Sequence, residues 1–360
     1  MSAHSPSSPR LLSRRTVTIG LAVTALVFVV GLLWAKWVPY VGQAVKAAGS
    51  GTWSGSNTLT AGGVQPGDPP SWHAATSFAI AYGTSIWKAL VVALLLSAAL
   101  QALVPPDLLR RVLNRRSPVT GALAGGLAGT PSMMCTCCTA PVVVAMRRSG
   151  VATAATVAYW LGNPLLNPAV LVFLVFVAPW EWTVTRLVVG IVVVVGGAAL
   201  VARFTEGRTL PAEITGEGTP ATATEPRPGN AATRFLRALA RTALIIVPEY
   251  LVIVLLVGAF RGWLLPLDAA TASGLLFVLV AAVLGTLVVI PTAGEIPVLQ
   301  GLALAGVAAG PLGALLITLP IVSLPGIVMV ARALGPRATA ATGALAVVGG
   351  LLGAGMLAVL

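Results

Sequence analysis

Long apolar stretches, separated by short polar ones, divide the chain into segments of membrane-spanning length. A helix needs about 20 predominantly apolar residues to cross the hydrocarbon core of a bilayer. The stretches that meet this length are 16–38, 74–104, 151–178, 183–203, 238–260, 308–331 and 338–360. Their apolar residues run continuously, whereas the strands of a membrane barrel alternate between lipid-facing and lumen-facing residues. The pattern therefore predicts an all-α, polytopic membrane protein.

Two other apolar regions, 119–146 and 271–306, are interrupted by glycine, proline and polar residues. Non-helical backbone at membrane depth is tolerated only where it is buried in protein or lines a water-filled cavity. We expect each region to be a broken or re-entrant segment, either as a shallow loop or as two complete crossings. The stretch 16–38 precedes both regions and is not followed by a clear cleavage site, so we expect an extra N-terminal helix.

The charged residues define an orientation rather than a binding surface. Only 9% of the residues are charged, and the net charge is +12. The basic residues are scattered among short loops, which argues against a nucleic-acid partner, and cytoplasmic loops collect Lys and Arg. If each broken region returns to the side it entered from, 17 basic residues lie inside and three, Lys36, Lys46 and Arg261, lie outside. We expect a multi-pass protein of the bacterial inner (plasma) membrane with a cytoplasmic N-terminus.

The chain repeats its backbone breaks at an offset of 156 residues. The matched positions are Gly129 and Gly285, Pro141 and Pro297, Gly150 and Gly306, and Pro164 and Pro320. In the predicted topology the two broken regions open to opposite sides of the membrane, which makes the halves an inverted repeat, as in secondary transporters. The predicted organisation is a tail, first helix and external loop (1–73), a first permease repeat (74–203), a polar cytoplasmic linker (204–237) and a second permease repeat (238–360).

All three cysteines lie in the first broken region, in "MMCTCCTAPV" at 133–142, as Cys135, Cys137 and Cys138. Soft thiolate ligands select soft metals and metalloids, so the cluster is a candidate solute site. Free cysteine also packs as a small hydrophobic residue, and neighbouring thiols can exchange disulfides, so structural and redox roles stay open. Structural zinc is disfavoured because the sequence supplies no nearby fourth ligand.

The second broken region carries an acidic residue, Glu295, in "PTAGEIP". An ionisable group at a helix break within the membrane is a functional-site candidate. Glu295 is expected to couple transport to protons, to cap a helix N-terminus, or both. We expect Thr292 and Gln300 to line the solute path, and we assign the repeat-related prolines Pro141 and Pro297 to the same site.

Four more polar residues lie within the predicted spans. Asn163 and Asn167, in "GNPLLNP", stand beside prolines that free backbone carbonyls. They are expected either to contact the solute or to form interhelical hydrogen bonds. Lys88 and Glu249 lie in the middle of the first helix of each half, and we expect them to form a structural ion pair.

Two segments, 125–170 and 285–330, resemble the predicted-permease family that includes the bacterial trivalent organoarsenical efflux permeases (ArsP/YraQ-like). The first contains "CTCCTAPVVVAMRRSGVATAATVAYWLGNPLLNP" and the second "PTAGEIPVLQGLALAGVAAGPLGALLITLPIVSLP". The likeness covers most of 74–360. It implies a permease fold and a substrate site at Cys135 and Cys137, the positions that the family shares, whereas Cys138 stands where the family has glycine.

These observations predict a secondary transporter that exports a small thiophilic solute, with a trivalent organoarsenical as the most concrete candidate. The alternatives are a permease for an unrelated solute with structural cysteines, and a membrane thiol-redox or assembly protein. The sequence contains no catalytic triad, metal-ligand set or cofactor motif, so we expect neither an enzyme nor a bound cofactor. The expected partners are the small-molecule solute and the lipid bilayer, and a homo-oligomer is compatible with the sequence.

Overall fold

The computed structural model describes residues 14–53, 58–206, 230–264 and 274–360. Within these ranges every regular element is a helix and no strand is present. The predicted tail before residue 14 and most of the predicted linker, 207–229, lie outside the described residues. The prediction of an all-α protein is therefore confirmed.

The α-helices of the described ranges follow one another in chain order. They are α1 Arg14–Leu32, α2 Val38–Ser50, α3 Trp72–Ala102, α4 Pro106–Leu113, α5 Pro118–Gly129, α6 Thr136–Arg148, α7 Thr153–Leu165, α8 Pro168–Val177, α9 Trp180–Ile191, α10 Ala198–Glu206, α11 Ala231–Leu264, α12 Leu275–Leu287, α13 Glu295–Leu304, α14 Ala309–Ile321, α15 Leu324–Leu334 and α16 Pro336–Val359. Two π-helical turns, Leu33–Trp37 and Val192–Gly197, join α1 to α2 and α9 to α10 without a break.

Six helical stretches in the described ranges are long and apolar enough to cross a membrane. They are Val17–Ser50, Trp72–Ala102, Thr153–Val177, Trp180–Thr205, Ala231–Trp263 and Pro336–Val359. A seventh arises if α14 and α15, which meet at an angle of 53°, form one bent span. Each corresponds to one of the seven apolar stretches, so the predicted polytopic architecture is confirmed.

The N-terminal helix is longer than its apolar pattern predicts. It continues through the π-helical turn and Pro39 to Ser50, although 39–73 was expected to be an external loop. Pro39 directly follows the π-helical turn, where the regular α-helical hydrogen-bond pattern is already interrupted, so its missing N–H is tolerated. The helix ends at Gly51, whose left-handed φ of 65° is a common helix terminus.

The two apolar regions with glycine and proline are broken as predicted. Between α5 and α6 the chain forms a short 3-10 turn and then passes through Met133 at φ 51°. Between α12 and α13 it runs extended and then passes through Ala293 at φ 68°. Among the described residues these are the only non-glycine positions with positive φ, and such positions persist only where the surrounding structure holds them.

The predicted repeat is visible in the order and bounds of the helices that follow each break. α14 begins and ends 156 residues after α7, at 309 and 321 compared with 153 and 165. α15 likewise begins 156 residues after α8, at 324 compared with 168. The opposite orientation of the two halves stays a prediction.

The centre of the molecule is formed by α7 and α14. Every residue of α7 is buried, as is α14 from Pro311 to Ile321. α5 approaches α7 closely because Gly125 has no side chain, and a Cβ there would overlap the carbonyl oxygen of Ala155. Small residues allow such close backbone packing in membranes, where burial against lipid supplies little driving force. This packing holds the first break next to the end of α7.

Candidate functional site

A small cavity, with room for about one water molecule, lies between the two broken regions. Cys135 and Thr136 line it from the first break, and Thr292 and Glu295 line it from the second. Ser323, which precedes α15, completes this polar lining. The structure therefore brings together residues that lie more than 150 positions apart in the chain.

The three thiols form a compact, buried cluster at the start of α6. The sulfur of Cys135 lies 3.2 Å from that of Cys137 and 3.0 Å from that of Cys138. All three sulfurs lie within 4.8 Å of one another, and no His, Asp or Glu of the described ranges joins the group. The cysteines are free rather than disulfide-bonded. One soft atom could be bound by two or three of them.

Two tyrosines contact the cluster on the side facing α3 and α11. The hydroxyl of Tyr82 lies 3.0 Å from the sulfur of Cys137, and that of Tyr250 lies 3.4 Å away. A buried tyrosine hydroxyl needs a polar partner, and here the thiol supplies it. Sequence analysis did not identify either residue, although a tyrosine in the middle of an apolar span was an available signal.

Glu295 forms a buried ion pair with Arg186. The two side chains are 2% and 0% exposed, and the guanidinium donates to the carboxylate over 2.7 Å. Arg186 also donates to the carbonyls of Pro164 and Leu165, at 2.8 and 3.2 Å. These carbonyls are at the end of α7, where no further turn of helix satisfies them. Arg186 thus ties α9 to the end of α7 and to the start of α13.

Arg186 lies within the predicted span 183–203, but the sequence pattern did not assign it to the site. A lone arginine in an apolar helix requires a buried acid or carbonyl partner, which was the missed signal. Glu295 also occupies the first position of α13, so its carboxylate meets the positive end of that helix. The N-cap residue of α13 is Gly294 and no side chain caps this helix, so of the predicted capping role only the favourable charge at the N-terminus is present.

Lys36, which the charge count placed outside the membrane, is 6% exposed and lies next to the second break. Its ammonium donates to the hydroxyl of Tyr40 over 2.8 Å and to the hydroxyl of Thr292 over 3.2 Å. The next residue, Trp37, donates from its indole nitrogen to the carbonyl of Pro131 over 2.9 Å. The N-terminal helix therefore contacts both broken regions at adjacent residues.

The two asparagines stabilise backbone rather than line the cavity. The side-chain oxygen of Asn163 accepts from Ser132 and from the backbone of Met134, and its nitrogen donates to the carbonyl of Tyr159. Asn167 caps α8 by accepting from the first backbone amides of that helix, at 3.1 and 3.3 Å. Sequence analysis expected these residues either to contact the solute or to form hydrogen bonds between helices. The structure shows hydrogen bonds within the protein for both.

Three other expected site residues do not line the cavity. Pro141 lies inside α6, and its carbonyl accepts from Ser97 over 2.8 Å. Pro297 is half-buried in α13, and Gln300 of the same helix donates to the carbonyl of Val177 over 2.7 Å. Gln300 thus connects α13 to the end of α8.

The predicted ion pair between Lys88 and Glu249 is wrong. The ammonium of Lys88 faces the rings of Trp34 and Trp87, at 5.5 and 5.8 Å from their centres. Glu249 instead lies 3.6 Å from Arg332, whose side chain is largely exposed. The aromatic faces offer Lys88 a cation–π contact on α3, while Glu249 on α11 is directed toward α15.

Comparison with known proteins gives one family and one curated relative. A family model described as "Predicted permease" matches residues 71–358. The UPF0718 protein YraQ of Escherichia coli (strain K12) is 40% identical over 339 residues, which cover 93% of this chain and 94% of that protein. No solved structure matches the chain.

The matched region contains both broken segments, the thiol cluster and the Arg186–Glu295 pair. The N-terminal helix that carries Lys36 precedes it. Helices long and apolar enough to cross a membrane and the family match together identify a multi-pass membrane protein with a cavity where its helices are broken. The chain belongs to the predicted-permease family.

Proposed function

We propose that this permease is a secondary transporter that exports a small thiophilic solute, with a trivalent organoarsenical as the substrate class. One observation carries the proposal. Three thiol sulfurs lie within 4.8 Å of one another at a break between membrane helices, and Cys135 faces the cavity there. Soft ligands select soft solutes, and packing alone does not require clustered thiols.

The chemistry of binding is a ligand exchange without oxidation or reduction. Each thiol replaces one hydroxyl of the trivalent arsenical, so an arsenic–sulfur bond forms, an arsenic–oxygen bond breaks and water leaves. Hydrolysis reverses the step and releases the solute. Cys135 and Cys137, whose sulfurs are 3.2 Å apart, supply two bonds to a monomethylated arsenical, which has two exchangeable oxygens.

Proton coupling is assigned to Glu295. Its carboxylate is held by Arg186, which also binds the end of α7. Proton uptake by Glu295 removes the negative charge that holds Arg186 at the start of α13. The contact between α9 and α13 then weakens, and the second broken region is free to move relative to the first.

Uptake of methylarsenite into everted membrane vesicles tests the function directly. We expect wild-type vesicles to accumulate it, and the variant Cys135→Ser/Cys137→Ser to lose the accumulation at matched expression. Cys138→Ser is the matched control, because it removes a thiol of the same cluster while leaving the proposed pair intact. Uptake that persists in the double variant would leave the cysteines structural, and no uptake by the wild type would refute the arsenical substrate.

The thiol-redox alternative is favoured by the same short sulfur–sulfur distances, and Glu295→Gln separates it from transport. A proton-coupled carrier loses uptake when Glu295 cannot ionise. A redox protein keeps its thiol-exchange activity in that variant, provided that the protein is still folded in detergent. Retained uptake in Glu295→Gln would contradict the assignment of proton coupling to this residue.

A further inference from the structure

The carboxylates around the cavity do not balance its buried cations. The charged side chains that line the cavity or contact its lining are Arg186, Glu295 and Lys36. Arg186 and Glu295 neutralise each other. Lys36 is bound by the hydroxyls of Tyr40 and Thr292, and no carboxylate of the described ranges forms an ion pair with it. Glu295 thus balances only one of the two buried cations, and the second is costly at membrane depth unless an anionic group, such as a thiolate of the cluster or a bound solute, meets it.

Two helix N-termini add positive potential at the same cavity. Thr136 is the first residue of α6, and Ser323 directly precedes α15; both line the cavity. Neither helix has a side-chain cap. The first backbone amides of each helix therefore lack intrahelical acceptors and carry the positive end of the helix dipole. In membrane transporters the N-termini of such half-helices point at anionic groups of the solute.

The geometry of the N-terminal helix explains how Lys36 reaches the second broken region. The π-helical turn Leu33–Trp37 contains one more residue per turn than an α-helix and rotates the side chains that follow. As a result, Lys36 reaches Thr292 at the second break while Trp37 reaches Pro131 at the first. The helix is thus part of the site as well as a membrane anchor.

We propose that the cavity binds a negatively charged group of its solute between Lys36 and the uncapped N-termini of α6 and α15, beside the thiol cluster. This inference rests on the proposed transport function and specifies its substrate class as thiophilic solutes that also carry a negatively charged group. Lys36, which contacts the cavity-lining Thr292, is the residue that selects for charge, and Cys135 is the cysteine among the residues that line the cavity.

Thiol modification tests this inference without a transport assay. The chain has three cysteines, all in the cluster, so a thiol reagent reports on this site alone. Two methanethiosulfonates are compared, one with an anionic sulfonatoethyl group and one with a cationic trimethylammonioethyl group. Each transfers its thioalkyl group to a cysteine sulfur and releases methanesulfinate. Rates are measured in right-side-out and in everted vesicles.

We expect the wild-type protein to react faster with the anionic reagent than with the cationic one. Lys36→Gln should lower this rate ratio about tenfold, because the focused positive potential is lost, while Lys36→Arg should keep it. Lys46→Gln is the matched control, since Lys46 is an exposed cation on α2 of the same helical stretch. It should leave the ratio unchanged.

Three results would overturn the inference. If the wild-type protein reacts equally fast with the anionic and the cationic reagent, the site is reachable but does not select for charge. That result leaves the transport proposal intact. If Lys36→Gln slows both reagents equally and leaves the ratio unchanged, Lys36 acts on the reactivity of the thiols and does not select the charge of the solute. Absence of reaction with either reagent from either side contradicts the transport proposal itself, because a solute site must be reachable.

Discussion

At the scale of single residues, Arg186 and Glu295 connect parts of the chain that are 109 positions apart. Neither side chain has access to water, so each charge depends on the other and on the carbonyls at the end of α7. Moving two charges out of water is costly, and only good geometry with additional hydrogen bonds offsets that cost. The pair therefore contributes more to the relative position of α9 and α13 than to net stability.

We predict that removing only one charge of the Arg186–Glu295 pair destabilises the protein. Arg186→Gln or Glu295→Gln alone leaves an unpaired buried charge and should lower the free energy of unfolding by about 3–5 kcal/mol. The double variant Arg186→Gln/Glu295→Gln leaves no charge and should recover most of this loss. Melting temperatures of the detergent-solubilised proteins measure the effect. Additive losses in the double variant would show that the two charges are not coupled.

At the scale of helices, contacts between backbones hold the broken regions in place. Gly125 allows α5 to touch α7, and Gly313 and Gly353 allow α14 to touch α16 in the same way. Trp37 and Lys36 add contacts from the N-terminal helix to each break. The half-helices that surround the cavity are too short to be stable alone, so this packing determines their position.

A methyl group at one glycine should separate α5 from α7. Gly125→Ala brings a Cβ onto the carbonyl of Ala155 and should cost about 1–3 kcal/mol through overpacking. Gly83→Ala on α3 is the control, because nothing lies within 4 Å of a Cβ there. That control should be neutral or slightly stabilising, since alanine favours a helix over glycine. Equal melting temperatures for the two variants would contradict the close α5–α7 contact.

At the scale of the whole molecule, one cavity is formed from two distant segments inside a layer of apolar helices. Large apolar side chains such as Leu244 on α11 and Trp180 on α9 are exposed on the outer surface, which suits contact with lipid. The polar and charged groups of the site face inward, as expected for ionisable residues at membrane depth.

The inverted repeat predicts opposite sides of the membrane for two matched positions. Arg148 and Leu304 are 156 residues apart, and both are exposed at the ends of α6 and α13. In a background with all three cysteines changed to serine, Arg148→Cys should react with an impermeant maleimide only in everted vesicles. Leu304→Cys should react only in right-side-out vesicles. Labelling of both positions from the same side would show that the repeat is not inverted.

The sequence alone was enough to predict the helical class, the seven apolar stretches, the two breaks and the position of the thiols. These features follow from local composition, because apolar length, glycine and proline act on the chain wherever they occur. It also identified Cys135, Thr292 and Glu295, which do line the cavity. Their residue types are costly or unusual at membrane depth whatever their neighbours are.

The packing of the helices established which groups meet. It paired Glu295 with Arg186 instead of leaving that acid alone, and it separated Lys88 from Glu249. It also brought Lys36 from the supposed exterior to the site. Positions on opposite faces of a helix look alike in an apolar sequence, so the rotation and packing of each helix, including the extra residue of a π-helical turn, settle the partners.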